Sequence, residues 1–487
     1  MFYPSLEEIK SLDTTGYDMV PVKKEIYSDF FTPVTVLKKL KSVSDHCFIL
    51  ESHEQSHTWG RYSFIGYEPK HEVTCNNGRL SVDGVDKGRK NPTKFLREVL
   101  SHHKAMKIKG FPTFTGGFVG FFAYDYLKYT EPKITFGNGA NAHFKDVDLM
   151  YFDEVVCFDH ERQKISIIVN VDVHDLDHDY PKKVKRIEEI ERIIKMDYMD
   201  MSDPLRLKSD FLPMFTKEEY YEKVNEVKHH IKEGDIFQAV LANRIEVKAT
   251  GSLLDTYRVL RTTNPSPYMF YFYSSSLEVA GASPETMVKL TGKQLYTFPI
   301  AGSRPRGKNE AEDLALEKEL LSDEKELAEH NMLVDLGRND LGEIAKVGTV
   351  KVNKYKEVVR FSKIMHIASE VSGEIKENED ALSAIETMLP AGTLSGAPKI
   401  KACSIIGELE GVKRGIYGGA IGYIGFNGNM DTCIGIRLAY KKASKVYVCS
   451  GAGIVYDSKP ENEYQECLNK AAAVIDALKL ADGGIDV

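Results

Sequence analysis

No apolar stretch of this sequence approaches the roughly 20 residues that cross a bilayer as a helix, so no membrane role is expected. There is no basic tail or stripe, and the formal net charge is −8, which argues against nucleic acid as a partner. No Cys-x-x-Cys occurs among the seven scattered cysteines, Cys47, Cys75, Cys157, Cys403, Cys433, Cys449 and Cys467. Neither a disulfide framework nor a zinc site is indicated. The segment Met1–Glu8 lacks a signal-peptide pattern, and a reducing cytoplasm is the natural expectation. Internal repeats and low-complexity segments are missing too, as is any Gly-x-Cys-x-Gly nucleophile turn of a glutaminase.

What is present is ordinary in bulk. Apolar residues make up 42% and charged residues 28%, as in soluble globular proteins. A chain of 487 residues exceeds one core, so two domains or lobes are expected. Met196 to Pro213 is polar, Met- and Asp-rich and broken by Pro204, and the linker is placed there, dividing the chain into 1–205 and 206–487.

In the first part Phe48-Ile49-Leu50 is a short strand candidate. Lys164 to Val173 alternates as a half-buried strand does, and Pro181 to Lys195 has apolar residues at helical spacing. In the second part Lys217 to Glu233 reads as an amphipathic helix closed by Gly234, followed by a strand over Ile236 to Val247. Met269–Tyr273, Val279–Ala282, Thr286–Leu290, Gln294–Ile300 and Lys445–Val455 are further strand candidates. Ile416–Phe426 and Thr432–Tyr440 flank the hairpin signal Asn427-Gly428. Helices alternating irregularly with hairpins predict an α+β fold rather than a doubly wound sheet.

Two acid pairs carry the chemistry. Glu326 and Glu329, and Glu463 and Glu466, are each spaced to share one helical face. Before the second pair comes Gly451-Ala452-Gly453, read as a turn baring backbone N–H groups. Together they point to a hard cation holding an anionic small molecule. Plainer readings exist for each part. Asp323 and Glu326 fit a capping box, Lys325 and Glu329 a surface pair, and Glu461 a helix start favoured by the dipole. Asp335, Arg338, Asn339 and Asp340 lie among core-type residues and are expected to form a buried or half-buried network. Arg437, a charge within an apolar strand, should face a carboxylate of either the protein or a ligand. Pro299 to Gly307 reads as a rigid loop with two arginines. Ala391 to Lys399 is a glycine-hydroxyl turn leading into a helix from Pro398, suited to an anion. His366 lies amid apolar residues, where a satisfied core histidine is the commoner case.

In this order and spacing the motifs resemble the chorismate-utilising enzymes, the large subunits of anthranilate synthases in particular. The strings that carry the resemblance include Phe237-Gln238-Ala239-Val240, Pro265 to Met269, Ser283-Pro284-Glu285, Pro299 to Gly302, Glu329 to Asp340, Gly392 to Lys399, Tyr417 to Ala420, Asp431 to Ile434 and Gly451 to Gly453. The resemblance covers nearly the whole chain and implies a two-lobed antiparallel β-sandwich core flanked by helices. It implies Mg2+-dependent conversion of chorismate and ammonia to anthranilate and pyruvate. It assigns Mg2+ to Glu329 and Glu466, assisted by Glu326 and Glu463. Arg437, Tyr417, Gly451, Ala452 and Gly453 would hold the enolpyruvyl carboxylate, and Gly302 and Ser303 line the ring site. The family usually has threonine where Ser303 stands. His366, Glu285, Thr393 and Gln238 match catalytic positions, His366 in the proton transfer of pyruvate elimination and Glu285 near the leaving hydroxyl.

Two positions choose within the family. Isochorismate and salicylate synthases carry a lysine base where this chain has Gln238, and aminodeoxychorismate synthases typically carry a lysine nucleophile where it has Ala301. External ammonia then fits best. Some aminodeoxychorismate synthases lack that lysine, so folate-branch synthesis of aminodeoxychorismate stays open. Leu50-Glu51-Ser52 resembles the element that binds feedback L-tryptophan, with Pro267-Tyr268-Met269 as the second wall. Residues 1–205 would form the regulatory lobe and 206–487 the catalytic lobe. With no glutaminase in the chain, a separate glutamine amidotransferase subunit is implied as the ammonia source.

Overall fold

A computed structural model describes residues 2–52, 60–134, 136, 144–197, 203–274, 276–360 and 364–485. Two sheets of 14 and 12 strands form its frame. The pairings within both sheets are antiparallel, and helices flank them, so the chain has the expected α+β sandwich architecture.

Between the sheets lies an aromatic core that includes Phe48, Phe114, Phe118, Phe121, Phe152 and Phe270. A second core lies on the other side of the larger sheet. There Ile187, Ile190 and Ile194 of helix Leu176–Lys195 and Val474 and Leu478 of helix Pro460–Leu480 pack on residues such as Ile49 and Ile167. Burying both faces explains one departure from expectation. Strand Lys164–Asp172 is buried without a break from Ile165 to Val171, not half-buried, because its inner side chains meet the second sheet and its outer ones meet helices.

Both sheets draw strands from either side of residue 205. Strand Cys47–Glu51 pairs with Tyr268–Ser274, and Gly117–Phe122 pairs with Ala420–Gly425. At the second junction Gly120 and Gly422 face each other in register. Their φ angles are +150° and +156°, and a Cβ on either would lie 2.0 Å from a neighbouring carbonyl oxygen. Gly422→Ala should therefore cost about 2–5 kcal/mol through backbone strain and overpacking. A urea titration checks this, and an unmoved midpoint would contradict it.

Several local expectations are met and others corrected. Helix Lys217–Lys232 starts with a Thr216 capping box and is followed by Gly234 at φ +79°. The Asn427-Gly428 hairpin joins Ala420–Gly425 to Met430–Ile434. The strand expected over Thr432–Tyr440 instead breaks at Gly435–Arg437, where the chain leaves the smaller sheet and enters the larger as Leu438–Lys442. Arg437 lies in that crossover at φ +52°, not within a strand. Gln294–Ile300 likewise splits at Phe298-Pro299 into Gln294–Thr297 and Ile300–Pro305. Ile300–Pro305 of the arginine-bearing segment, with Arg304, is thus a strand paired with Ile364–Glu374 and bulged at Gly302, and Arg306 lies just beyond it.

The buried network expected of Asp335, Arg338, Asn339 and Asp340 does not form, and Asp335 and Arg338 pair with each other at 2.9 Å in solvent. Asp335, Arg338 and Asn339 are exposed, and only Asp340 is buried, 3.2 Å from Lys399 Nζ. All seven cysteines are buried and unpaired. Among the described residues no helix is long and apolar enough to cross a membrane.

Candidate active site

Helix Glu324–Ile344 begins at Asp323, whose carboxylate accepts the N–H groups of Lys325 and Glu326. This is half of the expected capping box. The Glu326 carboxylate does not return to the helix start. It lies 3.7 Å from Arg304 Nη1 and beside Gly302, where a Cβ would stand 3.2 Å from its Oε2. Gly302 also fixes His366. The two ring-bearing strands pair Ser303 with His366, and His366 Nδ1 lies 2.9 Å from the Gly302 carbonyl. A carbonyl only accepts, so Nδ1 carries the proton and Nε2 is the basic nitrogen. Burial lowers the His366 pKa and Arg437 lowers it further, which keeps the ring neutral at pH 7.

Helix Pro460–Leu480 brings the second acid pair. Glu466 Oε1 lies 2.6 Å from Lys470 Nζ, and Lys470 also donates to the Gly451 carbonyl at 3.1 Å. Burial raises the carboxyl of Glu329, and Glu326 and Glu466 raise it further. Glu463 is likewise raised by burial, with Glu466 adding to it. Acids from two helices thus repel one another across a shared space, the arrangement a cation relieves. Among the described residues no three His, Cys, Asp or Glu side chains converge as a finished metal cage. Mg2+ does not demand one, since it commonly takes one or two carboxylates and completes its shell with water and substrate oxygens. The donor set fits Mg2+ on that footing.

The glycine run is not a turn. Gly451, Ala452 and Gly453 lie within strand Lys445–Ile454, opposite Ala242, Leu241 and Val240. The N–H groups of Val240 and Ala242 point away from this pairing, to the Ser395 carbonyl and to Glu410 Oε1. Their partners Gly453 and Gly451 are therefore in non-hydrogen-bonded positions, with N–H and C=O turned outward. The Lys470 contact with the Gly451 carbonyl agrees. The expected bare N–H groups are present, supplied by a strand edge. Close neighbours keep side chains off these positions: a Cβ on Gly453 would lie 2.7 Å from Gln238 Nε2, and one on Gly451 would lie 3.1 Å from the Tyr417 hydroxyl. Arg437 donates to the Lys470 carbonyl at 2.6 Å, and no carboxylate pairs with it among the described residues. Its other donors suit a ligand carboxylate.

Glu285 follows the end of strand Leu277–Ser283, and its Oε1 accepts from Thr393 Oγ1 at 3.0 Å. Burial of the carboxyl raises its pKa to about 7, against the pull of Thr393 and Lys470. With Gly392 these two line a small cavity of about 40 Å3.

Leu50 and Glu51 lie beside Phe270 and Met269 by strand register, which puts the two segments of the tryptophan-like element side by side. Glu51 is committed to the protein, accepting from Arg261 Nε at 2.8 Å, from Ser63 Oγ at 3.0 Å and from Tyr257. The Ser52 hydroxyl is buried with no partner among the described residues. Tyr268 reaches Asp431 at 2.8 Å and Thr286 Oγ1 at 3.0 Å, and Thr286 follows Glu285 directly.

Sequence reasoning missed Lys470 and Arg304. Lys470 was within reach of it, because it lies four residues after Glu466 on the same helical face. A larger cavity of about 580 Å3, lined by Lys70, Tyr151, Asp153, Asn170 and Lys183 among others, contains none of these residues. Its two lysines are both 2.5 Å from Asp153, so its lining commits to no ligand class.

Paired glutamates from two helices thus lie near outward-facing strand N–H groups and a buried arginine with no carboxylate partner among the described residues. The chain belongs to the chorismate binding enzyme family, whose model matches residues 45–476. It is 42% identical over 508 residues to anthranilate synthase component 1 of Acetivibrio thermocellus, covering 99% of each chain. It is 40% identical to anthranilate synthase component 1 of Aquifex aeolicus, covering 98% of each. The crystal structure of anthranilate synthase component I from Streptococcus pneumoniae TIGR4 superposes with a TM-score of 0.77 at 36% identity, covering 92% of this chain and 98% of that one. The menaquinone-specific isochorismate synthase of Escherichia coli shares the fold, with a TM-score of 0.70 at 19% identity, covering 97% of this chain and 98% of that one.

Proposed function

We propose that this chain is the large subunit of an anthranilate synthase, converting chorismate and ammonia to anthranilate, pyruvate and water. The observation that carries this reading is the identity of residues 238 and 301. Gln238 and Ala301 stand at the two positions where the sister enzymes use lysine. Lys470, which lies close to the second acid pair, is engaged by Glu466 and the Gly451 carbonyl. The amine therefore comes from outside.

Arg437, Tyr417 and the Gly451 and Gly453 N–H groups hold the enolpyruvyl carboxylate, and Gly302 and Ser303 line the ring. Glu329 and Glu466 would hold Mg2+, assisted by Glu326 and Glu463. When bound, the ion supplies positive charge to the ring carboxylate and offsets the repulsion among the glutamates. Ammonia adds to the ring carbon vicinal to the ether as the C4 hydroxyl departs. Glu285, still substantially protonated at neutral pH, gives that hydroxyl its proton, and Thr393 fixes the carboxyl's direction. Neutral His366 then takes the ring proton through Nε2 as pyruvate leaves, and the ring becomes aromatic.

The partner is a glutamine amidotransferase subunit, in keeping with the "component 1" in the relatives' names and the lack of a glutaminase nucleophile here. Seven buried free thiols suit a reducing cytoplasm. L-Tryptophan is the feedback inhibitor, bound between Leu50-Glu51-Ser52 and Pro267-Tyr268-Met269. The regulatory lobe is residues 1–205 and the catalytic lobe 206–487, with strand pairing joining them. Tyr268 couples the two functions through Thr286, the neighbour of Glu285. Saturating tryptophan should abolish activity, and Ser52→Ala should raise the half-inhibitory concentration about 5- to 10-fold, the worth of one hydrogen bond. Undiminished activity at saturating tryptophan would remove the regulatory reading. The functional reading itself is tested by identifying the product formed from chorismate and ammonium.

A further inference from the structure

Thr393 and Gln238 come from separate stretches of chain, and a buried arginine fastens those stretches together. The segment Gly396-Ala397 pairs with Ala239 and Gln238, and the Val240 N–H takes the Ser395 carbonyl. That attachment stops at Ser395. The next carbonyl toward Thr393, that of Leu394, is taken by Arg414 Nη1 at 2.6 Å. Nη2 of the same guanidinium donates to the Val240 carbonyl at 2.6 Å. Nε donates to Glu410 Oε2 at 2.8 Å, and Glu410 accepts the Ala242 N–H at 2.9 Å from the same strand. The guanidinium carbon lies 4.5 Å and 5.7 Å from the ring centres of Tyr124 and Tyr417. Asp125 holds the base of this brace, accepting the N–H groups of Arg414 and Gly415 at 3.3 and 2.7 Å.

Arg414 and Glu410 are each 5% exposed. A buried ion pair adds little net stability, because desolvation cancels much of the attraction. What the planar fork adds is direction: it grips two carbonyls and a carboxylate at fixed angles, which a lysine ammonium cannot do. The strand pairing and the Val240–Ser395 bond end at Ser395, whereas the arginine's hold on the Leu394 carbonyl lies beyond them, one residue from Thr393.

We propose that Arg414 is a positioning residue for the reaction, setting the Thr393 turn against the Gln238 strand and thereby the Thr393–Glu285 hydrogen bond. The proposal rests on the reading of Glu285 and Thr393 as catalytic groups. Arg414→Lys keeps a cation opposite Glu410 but loses the fork. The direct test is infrared titration of the Glu285 carboxyl in the ligand-free protein, with Glu285→Gln to assign the band. Thr393 lowers the Glu285 pKa, and Lys470 is the charged group whose field reaches it. Arg414→Lys and Thr393→Val should move the midpoint upward by similar amounts, and the double variant should move it no further. An unmoved midpoint in Arg414→Lys, or shifts that add in the double variant, would overturn the proposal. This outcome holds whatever reaction the chain performs. In turnover, Arg414→Lys should lower kcat about 10- to 100-fold, as a misplaced group does, with a smaller change in KM. An unchanged kcat in an active enzyme would overturn the positioning role while leaving the functional reading intact. Should Arg414→Lys fail to fold, Glu410→Gln with Arg414→Gln removes both charges together, and the same outcomes apply.

Discussion

Glu329→Gln should lower kcat with chorismate, Mg2+ and ammonium by about 10^3-fold, or about 4 kcal/mol of lost transition-state stabilisation. Glu466→Gln should do the same. The reason lies in how the two helices meet. Burial and mutual repulsion raise the Glu329 and Glu463 carboxyls, so the site holds anionic groups that a bound dicarboxylate would crowd further. A cation turns that repulsion into attraction, and removing either principal ligand loses it. The two substitutions should not add, because they disable one unit. Glu326→Gln and Glu463→Gln, at the positions proposed to assist the ligands, should cost about 10- to 100-fold. Chelation should silence the native protein and Mg2+ should restore it. Calorimetric Mg2+ binding that survives Glu329→Gln undiminished would contradict the assignment.

Glu285→Gln should lower kcat by about 10^2- to 10^4-fold, the range for loss of a general acid. The effect has a pH signature. Burial pushes the Glu285 pKa up to about 7, and only its protonated form donates. The rate per unit of free ammonia should fall about tenfold per pH unit above pH 7 and level off below it, until protonation of His366 removes the base at lower pH. In Glu285→Gln that limb should vanish along with most of the rate. Stability should move the other way. The folded-state pKa of about 7 exceeds the usual glutamate value of 4.5, so the native state binds more protons than the unfolded state between those values. Glu285 therefore favours the fold below pH 4.5 and loses that contribution as pH rises to about 7. At pH 8 the buried carboxylate costs about 3 kcal/mol. Glu285→Gln should be inactive yet more stable than the native chain at pH 8, and equal stability would contradict the burial argument.

Much of this was legible in the residues, and what was not has physical causes. Long periodic elements and cap chemistry read well, as in helix Lys217–Lys232 with Thr216 and Gly234 at its ends, or the Asn427-Gly428 hairpin. The errors fall where tertiary structure overrides local pattern. Lys164–Asp172 alternates in sequence but is buried on both faces, because a sheet sandwiched between another sheet and helices has no solvent side. Arg437 looks like part of a strand, whereas the chain changes sheets there. The glycine run reads as a turn in sequence; only the partners of Val240 and Ala242 reveal an outward-facing strand edge. In the site, spacing marked both acid pairs but not their neighbours from distant segments. Glu326 beside Gly302 and Arg304, and Arg414 across Leu394 and Val240, depend on contacts no sequence window contains.

Purified chain incubated with chorismate, Mg2+ and excess ammonium, with products separated by chromatography, tests the central claim most directly. The account predicts anthranilate and pyruvate in equal amounts, lost on chelation. Aminodeoxychorismate without pyruvate would contradict it and assign the chain to the folate branch, and isochorismate would show that water rather than ammonia attacks the ring.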